Sequence, residues 1–335
     1  MTLYCGIDLH SNNQMVVVID DRDRRLLERR VPNDLDATLN ALAPFKADLL
    51  AVAVESTYNW YWLVDGLSDH GYSTQLVNTA KVEQYSGLKY SDDQHDAFWL
   101  AHLMRLGILP TGYICPREIR EVRDLLRKRL GLVRERARNL TSVQNILARE
   151  LGHRVPTSKV RGVLDADERF RPAVRTSIAA NLAVIETLDT VIAGIQTQVL
   201  GAIQPTQRYQ QLKTLCGVGD VLAPTIALET GEIERFKSVG NYSSYCRVVE
   251  SRRESNERKK GAGNKKCGNR YLAWAFSEAA HFAVRYNDRA RRFFDRKAAR
   301  RNRMVAIRAV AHKLARAAYF VQRDRVPFDA ARLFG

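Results

Sequence analysis

The chain has few cysteines, and they form neither pairs nor metal-binding clusters. Its 335 residues include five of them, without a Cys-x-x-Cys spacing or a cluster with histidine. This pattern argues against structural zinc and is typical of a protein kept in the reducing cytosol. The five cysteines are Cys5, Cys115, Cys216, Cys246 and Cys267.

Long apolar runs are also missing. No uninterrupted run of about 18 apolar residues occurs, and the N-terminus lacks the pattern of a signal peptide. We therefore expect a soluble, cytoplasmic protein with no membrane partner.

The chain has fewer acidic than basic residues. The 37 Asp and Glu residues face 53 Lys and Arg residues, which gives a formal net charge of +16. Such an excess favours a polyanionic partner and an affinity that falls with salt. The length is sufficient for two domains with a well-buried core.

Within this basic chain, four acidic residues occur at places suited to a metal ion. Asp8 and Glu55 each end an apolar, strand-like run, and Asp93 and Asp96 stand three apart where a helix begins. A spacing of three puts both aspartates on one helix face. Carboxylates from two strand ends and one helix face form a hard oxygen site suited to Mg²⁺. Two such ions ~3.5–4 Å apart can hold the attacking and leaving oxygens of a phosphodiester.

Each of these acids also has a plainer interpretation. Acidic residues are common at strand ends, and an aspartate pair that opens a helix complements the helix dipole. Glu55 is the hardest to explain in this way, because the apolar run before it indicates an interior strand. Asp92 adjoins the aspartate pair, so spacing alone leaves open which two of the three coordinate.

The first 112 residues predict alternating strands and helices. Three strand-like runs with short turns between them favour an antiparallel meander. A helix from about residue 35, a strand, a helix over 59–70 and a last strand follow. This order is expected of an α/β fold of the ribonuclease-H type. The predicted strands span residues 3–9, 14–19, 25–31, 49–55 and 72–77.

Residues 113–204 predict a pair of long helices. Apolar residues recur at steps of three and four over 119–151 and again over 178–199, the narrow seam of a coiled coil. Such helices favour an antiparallel hairpin or a dimerisation arm. Nine Lys and Arg against four acids over 117–138 indicate a solvated face or a surface that faces nucleic acid.

Residues 205–335 predict a second, mostly helical unit. Residues 212–223 resemble a helix-hairpin-helix, whose Gly-Val-Gly turn either presents backbone N–H groups to a phosphate or simply joins two helices. Eight basic residues against two Glu over 252–270 predict a mobile loop that follows phosphates.

The last part of the chain combines positive charge with aromatic residues. Over 285–325, fourteen Lys and Arg residues face three Asp. Aromatic side chains in such a segment stack on unpaired bases or, at helical spacing, belong to the core. They are Tyr286, Phe293, Phe294, Tyr319 and Phe320.

Several short motifs, taken in order, resemble one family of proteins. In the N-terminal half they are Gly6-Ile7-Asp8, Glu55-Ser56-Thr57 and Asp93-Gln94-His95-Asp96-Ala97; in the C-terminal half they include Gly217-Val218-Gly219, Arg253-Glu254-Ser255-Asn256 and Cys267-Gly268-Asn269-Arg270. Together they resemble the DEDD transposases of insertion sequence family 110, the bridge-RNA-guided recombinases. The resemblance covers nearly the whole chain, and the combination is specific although no single motif is.

The resemblance implies three domains. A RuvC-like domain of the ribonuclease-H fold over 1–112 would hold Mg²⁺ through Asp8, Glu55, Asp93 and Asp96, and Asp93 is preferred over its neighbour because the family pattern is Asp-x-x-Asp-Ala. A coiled-coil segment over 113–204 would lead to a transposase domain over 205–335.

The resemblance also implies a serine nucleophile in the transposase domain. This would be Ser255, in a Glu-Ser-Asn sequence where family members often have Gln-Ser-Gly. Ser251 lies four residues earlier and is the alternative. The residues predicted to bind nucleic acid in this region are Arg252, Arg253, Lys259, Lys260, Lys265, Lys266, Asn269 and Arg270.

The implied partners are target and donor DNA, a non-coding bridge RNA that guides the protein to both, and further copies of the chain, as a dimer or a dimer of dimers. The implied activity is site-specific recombination that excises and inserts a mobile element through a phosphoserine intermediate. Two alternatives stay open: a Mg²⁺-dependent hydrolytic nuclease of the junction-resolvase type, and a non-catalytic nucleic-acid-binding protein.

Overall fold

The computed structural model describes residues 1–82, 93–160, 162, 170–204, 206–249, 252–255, 258–262 and 267–335. These residues form two compact units. One contains Met1–Arg117, and the other contains Glu118–Ala262 and Gly268–Gly335.

The N-terminal unit is built on a five-stranded mixed sheet. Its strand order is β3-β2-β1-β4-β5, in which β1 to β3 pair antiparallel while β4 and β5 run parallel to β1. The predicted strands are confirmed to within two residues, and the sheet is compatible with a ribonuclease-H-like α/β domain. The strands are β1 Leu3–Leu9, β2 Asn13–Ile19, β3 Arg25–Pro32, β4 Leu49–Glu55 and β5 Thr74–Val77.

Helices cover both faces of this sheet. Leu42 of α1 and Leu63 of α2 pack with Ile7 on one face, while Ala97 of α4 packs with Val17 on the other. Because successive side chains of a strand point to opposite faces, Tyr4, Gly6 and Asp8 share the α4 face. The helices are α1 Leu35–Leu42, α2 Tyr61–Asp69, α3 Thr79–Val82 and α4 Asp93–Arg105.

Gly6 allows α4 to lie unusually close to the centre of the sheet. A Cβ atom at this position would lie 2.0 Å from the carbonyl oxygen of Ala97 and 2.8 Å from the backbone nitrogen of Ala101. Both atoms belong to the helix backbone, which has no flexible side-chain end that could move aside. Gly6 therefore sets the height of α4 above β1, two residues before Asp8.

The other end of α4 is held by Asp23, in the turn between β2 and β3. Arg105 donates from Nε and Nη2 to the two carboxylate oxygens, each at 2.6 Å, and His102 Nδ1 lies 2.9 Å from Oδ1. Burial acts to raise the pKa of Asp23, but the hydrogen bonds from His102 and Arg105 outweigh it and lower that pKa. The ionised Asp23 thus anchors the C-terminal turn of α4.

We expect Gly6→Ala to destabilise the N-terminal unit by about 1–3 kcal/mol, because the added methyl group pushes α4 off the sheet. The free energy of unfolding from urea denaturation measures this effect. Gly112→Ala is the matched control, since its Cβ would meet no atom closer than 3.5 Å. Equal stability of the two variants would contradict the role given to Gly6.

The second unit begins with two long antiparallel helices, as the apolar periodicity predicts. These are α5 Arg117–Leu151 and α6 Pro172–Ile203. Arg129 of α5 donates to Gln196 of α6 at 2.7 Å, and Arg136 pairs with Asp189 at 2.9 Å. Farther along the pair, Leu147 and Ile178 share an apolar cluster.

By length and composition alone, α6 could cross a membrane. An 18-residue window of it has a mean hydropathy of 1.6 and is only 11% buried. Such a helix is weak support for a membrane span. Through Gln196 and Asp189 it also pairs with the strongly basic helix α5.

The rest of this unit is mostly helical, as predicted, around the fully buried helix α8. One prediction is wrong: part of the segment expected to be a loop forms the antiparallel hairpin β6–β7. The remaining elements are α7 Gln207–Lys213, α8 Leu222–Thr230, α9 Val239–Tyr245, β6 Arg252–Ser255, β7 Arg258–Ala262, α10 Arg270–Tyr286, α11 Asp288–Arg300, α12 Arg303–Asp324 and α13 Ala330–Phe334.

Candidate active site

Strand register places Asp8 and Glu55 side by side. Gly6 is opposite Ala53 and Ile7 is opposite Val54 in the parallel pair β1–β4, so the next step brings Asp8 beside Glu55. Registered residues of neighbouring strands point to the same face. Both carboxylates therefore lie at the C-terminal edge of the sheet, on the face that α4 covers.

The first turn of α4 supplies the other two predicted acids. Asp93 and Asp96 both belong to that turn, and Ala97 of the next turn lies over Gly6. Asp96 is half-buried, as is Glu55, whereas Asp8 is only 4% exposed. Strand register and helix position thus bring the four predicted carboxylates to one end of one sheet face. Among them, Asp8 and Asp93 have carboxylate oxygens within 4.8 Å of each other, whereas Glu55 and Asp96 are placed near them by register and by the helix turn alone. Asp92 lies outside the described residues.

His10 joins this group, although the sequence analysis did not identify it. Its Nε2 atom lies 3.1 Å from Asp8 Oδ2 and 3.4 Å from Asp93 Oδ1. One ligand atom from each of the three residues lies within 4.8 Å of the others. The sequence signal for His10 was its position two residues after Asp8, where the chain turns from β1 toward β2.

The backbone at His10 is held in place by two amide side chains. Asn33 Nδ2 and Asn59 Nδ2 both donate to the His10 carbonyl oxygen, at 2.9 and 3.0 Å. Thr57 donates to Asn59 in turn, at 2.9 Å. These contacts connect the β1–β2 turn to the chain that follows Glu55.

Arg30 adds one positive charge beside the carboxylates. Its guanidinium donates to Asp93 Oδ2 at 2.6 Å and to Asn13 Oδ1 at 2.7 Å. Since Arg30 is about half exposed, its head group can leave Asp93 at low cost when a cation approaches.

The residues present fit a divalent ion. Ligands on one octahedral Mg²⁺ at ~2.1 Å lie ~3 Å apart when adjacent and ~4.2 Å apart when opposite. The two distances from His10 Nε2, 3.1 Å to Asp8 and 3.4 Å to Asp93, are close to the first of these values, and the carboxylate oxygens of Asp8 and Asp93 lie within 4.8 Å of each other. Carboxylates suit Mg²⁺ and Mn²⁺, and the imidazole adds a ligand that transition metals prefer.

The C-terminal candidates lie in the other unit, on the β6–β7 hairpin. Arg252, Arg253 and Ser255 belong to β6, while Lys259 and Lys260 belong to β7. Ser255 is the last residue of its strand and is paired with Arg258. Its alternative, Ser251, lies outside the described residues, as do the predicted binding residues Lys265 and Lys266.

Asn269 has a structural role that its sequence context did not indicate. It is 8% exposed, and its Oδ1 accepts hydrogen bonds from the Tyr271 and Leu272 backbone N–H groups, which caps α10. Its Nδ2 donates to Glu229 at 2.7 Å, and Glu229 also forms a bidentate ion pair with Arg127, at 2.6 and 2.7 Å. The exposed Arg270 follows it at the first position of α10.

The Gly-Val-Gly turn between α7 and α8 is constrained by packing. A Cβ atom on Gly217 would lie 2.2 Å from the Ala279 carbonyl oxygen of α10, and the residue has a φ of +80°. Both facts require glycine. Gly219 faces open space at the exposed end of the turn, so only this second glycine is free to approach a phosphate.

Two family models match the chain. A DEDD transposase model of the IS110 type matches residues 5–150, and the model described as "Transposase IS116/IS110/IS902 family" matches residues 209–295.

Two curated relatives of the chain are also described as transposases. A Pseudomonas aeruginosa protein described as "Probable family 20 transposase" is 22% identical over 244 residues, which cover 70% of this chain and 71% of that protein. A Sinorhizobium fredii protein described as "Putative transposase y4qE" is 26% identical over 237 residues, which cover 69% of this chain and 57% of that protein. Because models of one transposase family match both halves of the chain in order, it belongs to the IS110-type DEDD transposases, enzymes that act on DNA.

Proposed function

We propose that this transposase is an RNA-guided, site-specific DNA recombinase that excises and inserts its own mobile element through a covalent phosphoserine intermediate. The observation that carries the proposal is the cluster of Asp8, His10 and Asp93 beside Glu55, at the sheet edge of a DEDD transposase. The proposed domains are a RuvC-like domain over 1–112, a coiled-coil segment over 113–204 and a transposase domain over 205–335, acting in the cytoplasm.

The acidic cluster has one role in this chemistry. Asp8, Glu55, Asp93 and Asp96 would hold Mg²⁺, which neutralises charge on the phosphoryl oxygens when bound. The buried Asp8 is fixed by its strand, whereas Asp93 and Asp96 are fixed by the first turn of α4. Their mutual repulsion without a cation favours binding of one.

Ser255 is the proposed nucleophile. Its Oγ forms a bond to phosphorus as the bond from phosphorus to a deoxyribose oxygen breaks, and that oxygen leaves with a proton. A hydroxyl of another DNA end then attacks the phosphoserine and releases the serine. Because one phosphodiester replaces another, strands are exchanged without ATP. Arg252, Arg253, Lys259 and Lys260 of the same hairpin are proposed to hold the DNA backbone.

The function is tested by incubating the purified protein and Mg²⁺ with DNA that carries the ends of its element, and by sequencing RNA that copurifies with it. We expect recombinant junctions, a covalent protein–DNA adduct and one discrete RNA encoded beside the gene. Cleavage without an adduct would favour the hydrolytic nuclease instead, and binding without cleavage would favour a non-catalytic protein.

His10 gives the proposed metal site a specific signature. We expect His10→Ala to weaken Mn²⁺ binding several-fold more than Mg²⁺ binding, because an imidazole ligand favours the transition metal. Mn²⁺ titration followed by electron paramagnetic resonance, with Mg²⁺ as competitor, measures both affinities. The exposed His281 provides the control substitution. An unchanged ratio of the two affinities would remove His10 from the ligand set.

Self-association is proposed through the outer face of α6. On this helix, Val184 and Val191 are 45% and 44% exposed and stand seven residues apart on one face. An uncharged face on a strongly basic protein is suited to another copy of itself. The neighbouring positions on that face are also uncharged and exposed, and they are Ala180, Thr187, Gly194 and Gln198.

We expect Val184→Glu combined with Val191→Glu to convert the assembly to smaller species, because the new charges would be buried in the interface. Sedimentation velocity measures the change. The control is Thr197→Glu, an exposed position near the C-terminal end of the same helix. A wild-type protein that sediments as a monomer, with or without nucleic acid, would contradict this interface.

A further inference from the structure

Two aromatic rings stand exposed at the C-terminal end of α10. Phe282 and Tyr286 are 43% and 70% exposed, and their rings are nearly parallel, with centroids 6.3 Å apart and an interplanar angle of 10°. Several other aromatic residues of this unit are buried: Tyr242, Phe276, Phe294 and Tyr319 are at most 6% exposed. Phe282 and Tyr286 therefore lie outside the core and together present two neighbouring aromatic rings to solvent.

The backbone that carries these rings is firmly held. Asn287 donates its backbone N–H to Ala283 at the end of α10, and its side chain accepts from the Ala290 N–H at the start of α11. Arg291 donates to the carbonyl oxygens of Val284 and Arg285 at 3.2 and 2.6 Å. Because these hydrogen bonds come from both helices, the backbone that carries the rings is held in place before any ligand arrives.

The chain that follows the aromatic pair is rich in positive charge. Residues 285–301 contain eight Lys and Arg residues against two Asp. The guanidinium carbon of Arg285 lies 5.2 Å from the Tyr286 ring centroid, and Arg289 and Arg292 of α11 are exposed. Flat apolar rings beside the Arg285 guanidinium, on a strongly basic stretch of chain, match a ligand with flat bases and a phosphate backbone.

We propose that Phe282 and Tyr286 form a stacking platform for unpaired bases of single-stranded DNA. Double-stranded DNA hides its base faces in the stack, so the platform would select strands that have been separated. An exchange of DNA strands exposes such bases. The inference rests on the proposed recombinase function for the choice of DNA as the partner, while its geometric basis is independent of the acidic cluster.

The test compares binding of a thymidine oligonucleotide with binding of duplex DNA of the same length, in EDTA, by fluorescence anisotropy. We expect Phe282→Ala and Tyr286→Ala each to weaken single-strand binding roughly 5- to 150-fold, the range for the loss of one stacked base, and to leave duplex binding unchanged. Tyr286→Phe should bind the single strand like the wild type, because it keeps a flat ring. Tyr286→Leu should bind it as weakly as Tyr286→Ala, because leucine is apolar but cannot stack.

Two control variants show whether the loss is specific to the stacked rings. Met304→Ala, at an apolar residue that is 72% exposed on α12, should change neither affinity. Val305→Ala, at an apolar residue that is 46% exposed on the same helix, should likewise change neither affinity. Because binding is measured in EDTA, failure of the metal-site proposal leaves this test intact.

Several outcomes would overturn the platform. Equal losses for single-stranded and duplex DNA would indicate a general backbone contact. A loss seen only with a uridine RNA oligonucleotide would assign the rings to RNA. A lower sedimentation coefficient for Tyr286→Ala would assign them to an interface between copies of the chain.

Discussion

Asp8→Asn is expected to abolish DNA strand cleavage while binding of DNA and RNA stays close to the wild-type level. The substitution keeps the size of a side chain that is 4% exposed but replaces an anionic carboxylate, the proposed ligand, by a neutral amide. Loss of charge stabilisation at the phosphoryl group corresponds to several kcal/mol, so the cleavage rate should fall by at least ~100-fold. A labelled substrate with the element ends, cleaved in Mg²⁺, measures the rate.

Matched substitutions show whether the effect belongs to the cluster. Glu55→Gln and Asp96→Asn should resemble Asp8→Asn, because register and helix position bring all three to one sheet edge. Asp36→Asn removes an exposed carboxylate in the first turn of α1 and should cleave normally. If Asp8→Asn cleaves at near the wild-type rate, the metal site has been misassigned.

The strands of the N-terminal sheet could be predicted because short stretches of sequence determine them. Apolar runs of strand length and short polar turns fix the strands and their antiparallel order, and the apolar run before Glu55 marks an interior strand. Asp8 and Glu55 then lie close together because β1 and β4 run parallel and end at the same edge of the sheet. What the sequence did not reveal was Gly6 as a spacer, because a glycine in a strand has several possible uses.

The components of the site that sequence reasoning missed depend on tertiary contacts. His10 approaches Asp93 across 83 residues of chain, and Asn33 and Asn59 reach its carbonyl oxygen from two different loops. Apart from the position of His10 two residues after Asp8, the local sequence does not indicate that these residues come into contact. A single histidine beside a strand end is compatible with many environments, so only the fold identifies this one.

In the C-terminal unit, composition alone led to a wrong prediction of a loop. The segment around Arg252–Ser255 is rich in charge and poor in apolar residues, which favours a loop, yet part of it pairs as a hairpin. Backbone pairing of this kind depends on the partner strand more than on propensity. Asn269, which is predicted to bind nucleic acid, also caps α10 through its Oδ1 and donates to the buried Glu229, two contacts that its local sequence does not show.

Ser255→Ala is expected to leave binding of DNA, RNA and Mg²⁺ unchanged while it removes both the covalent DNA adduct and the recombinant product. The substitution deletes one oxygen and changes neither charge nor backbone, so a loss of about 10³-fold or more would follow from the missing nucleophile. Adduct formation is measured by denaturing electrophoresis of protein bound to labelled DNA, and recombination by amplification of the new junction.

Three comparisons decide whether the assignment of Ser255 is correct. Ser251→Ala should remain active, because the motif that resembles the family's nucleophile motif is centred on Ser255, although this chain has Glu-Ser-Asn where family members often have Gln-Ser-Gly. Ser255→Cys should keep at most a trace of activity, since a thiolate attacks phosphorus but forms a weaker bond. If Ser251→Ala is inactive while Ser255→Ala is active, the nucleophile is Ser251, four residues earlier in the chain. Activity in both alanine variants would instead make water the attacking group, because no serine oxygen at either position would then be needed, and the protein would be a hydrolytic nuclease.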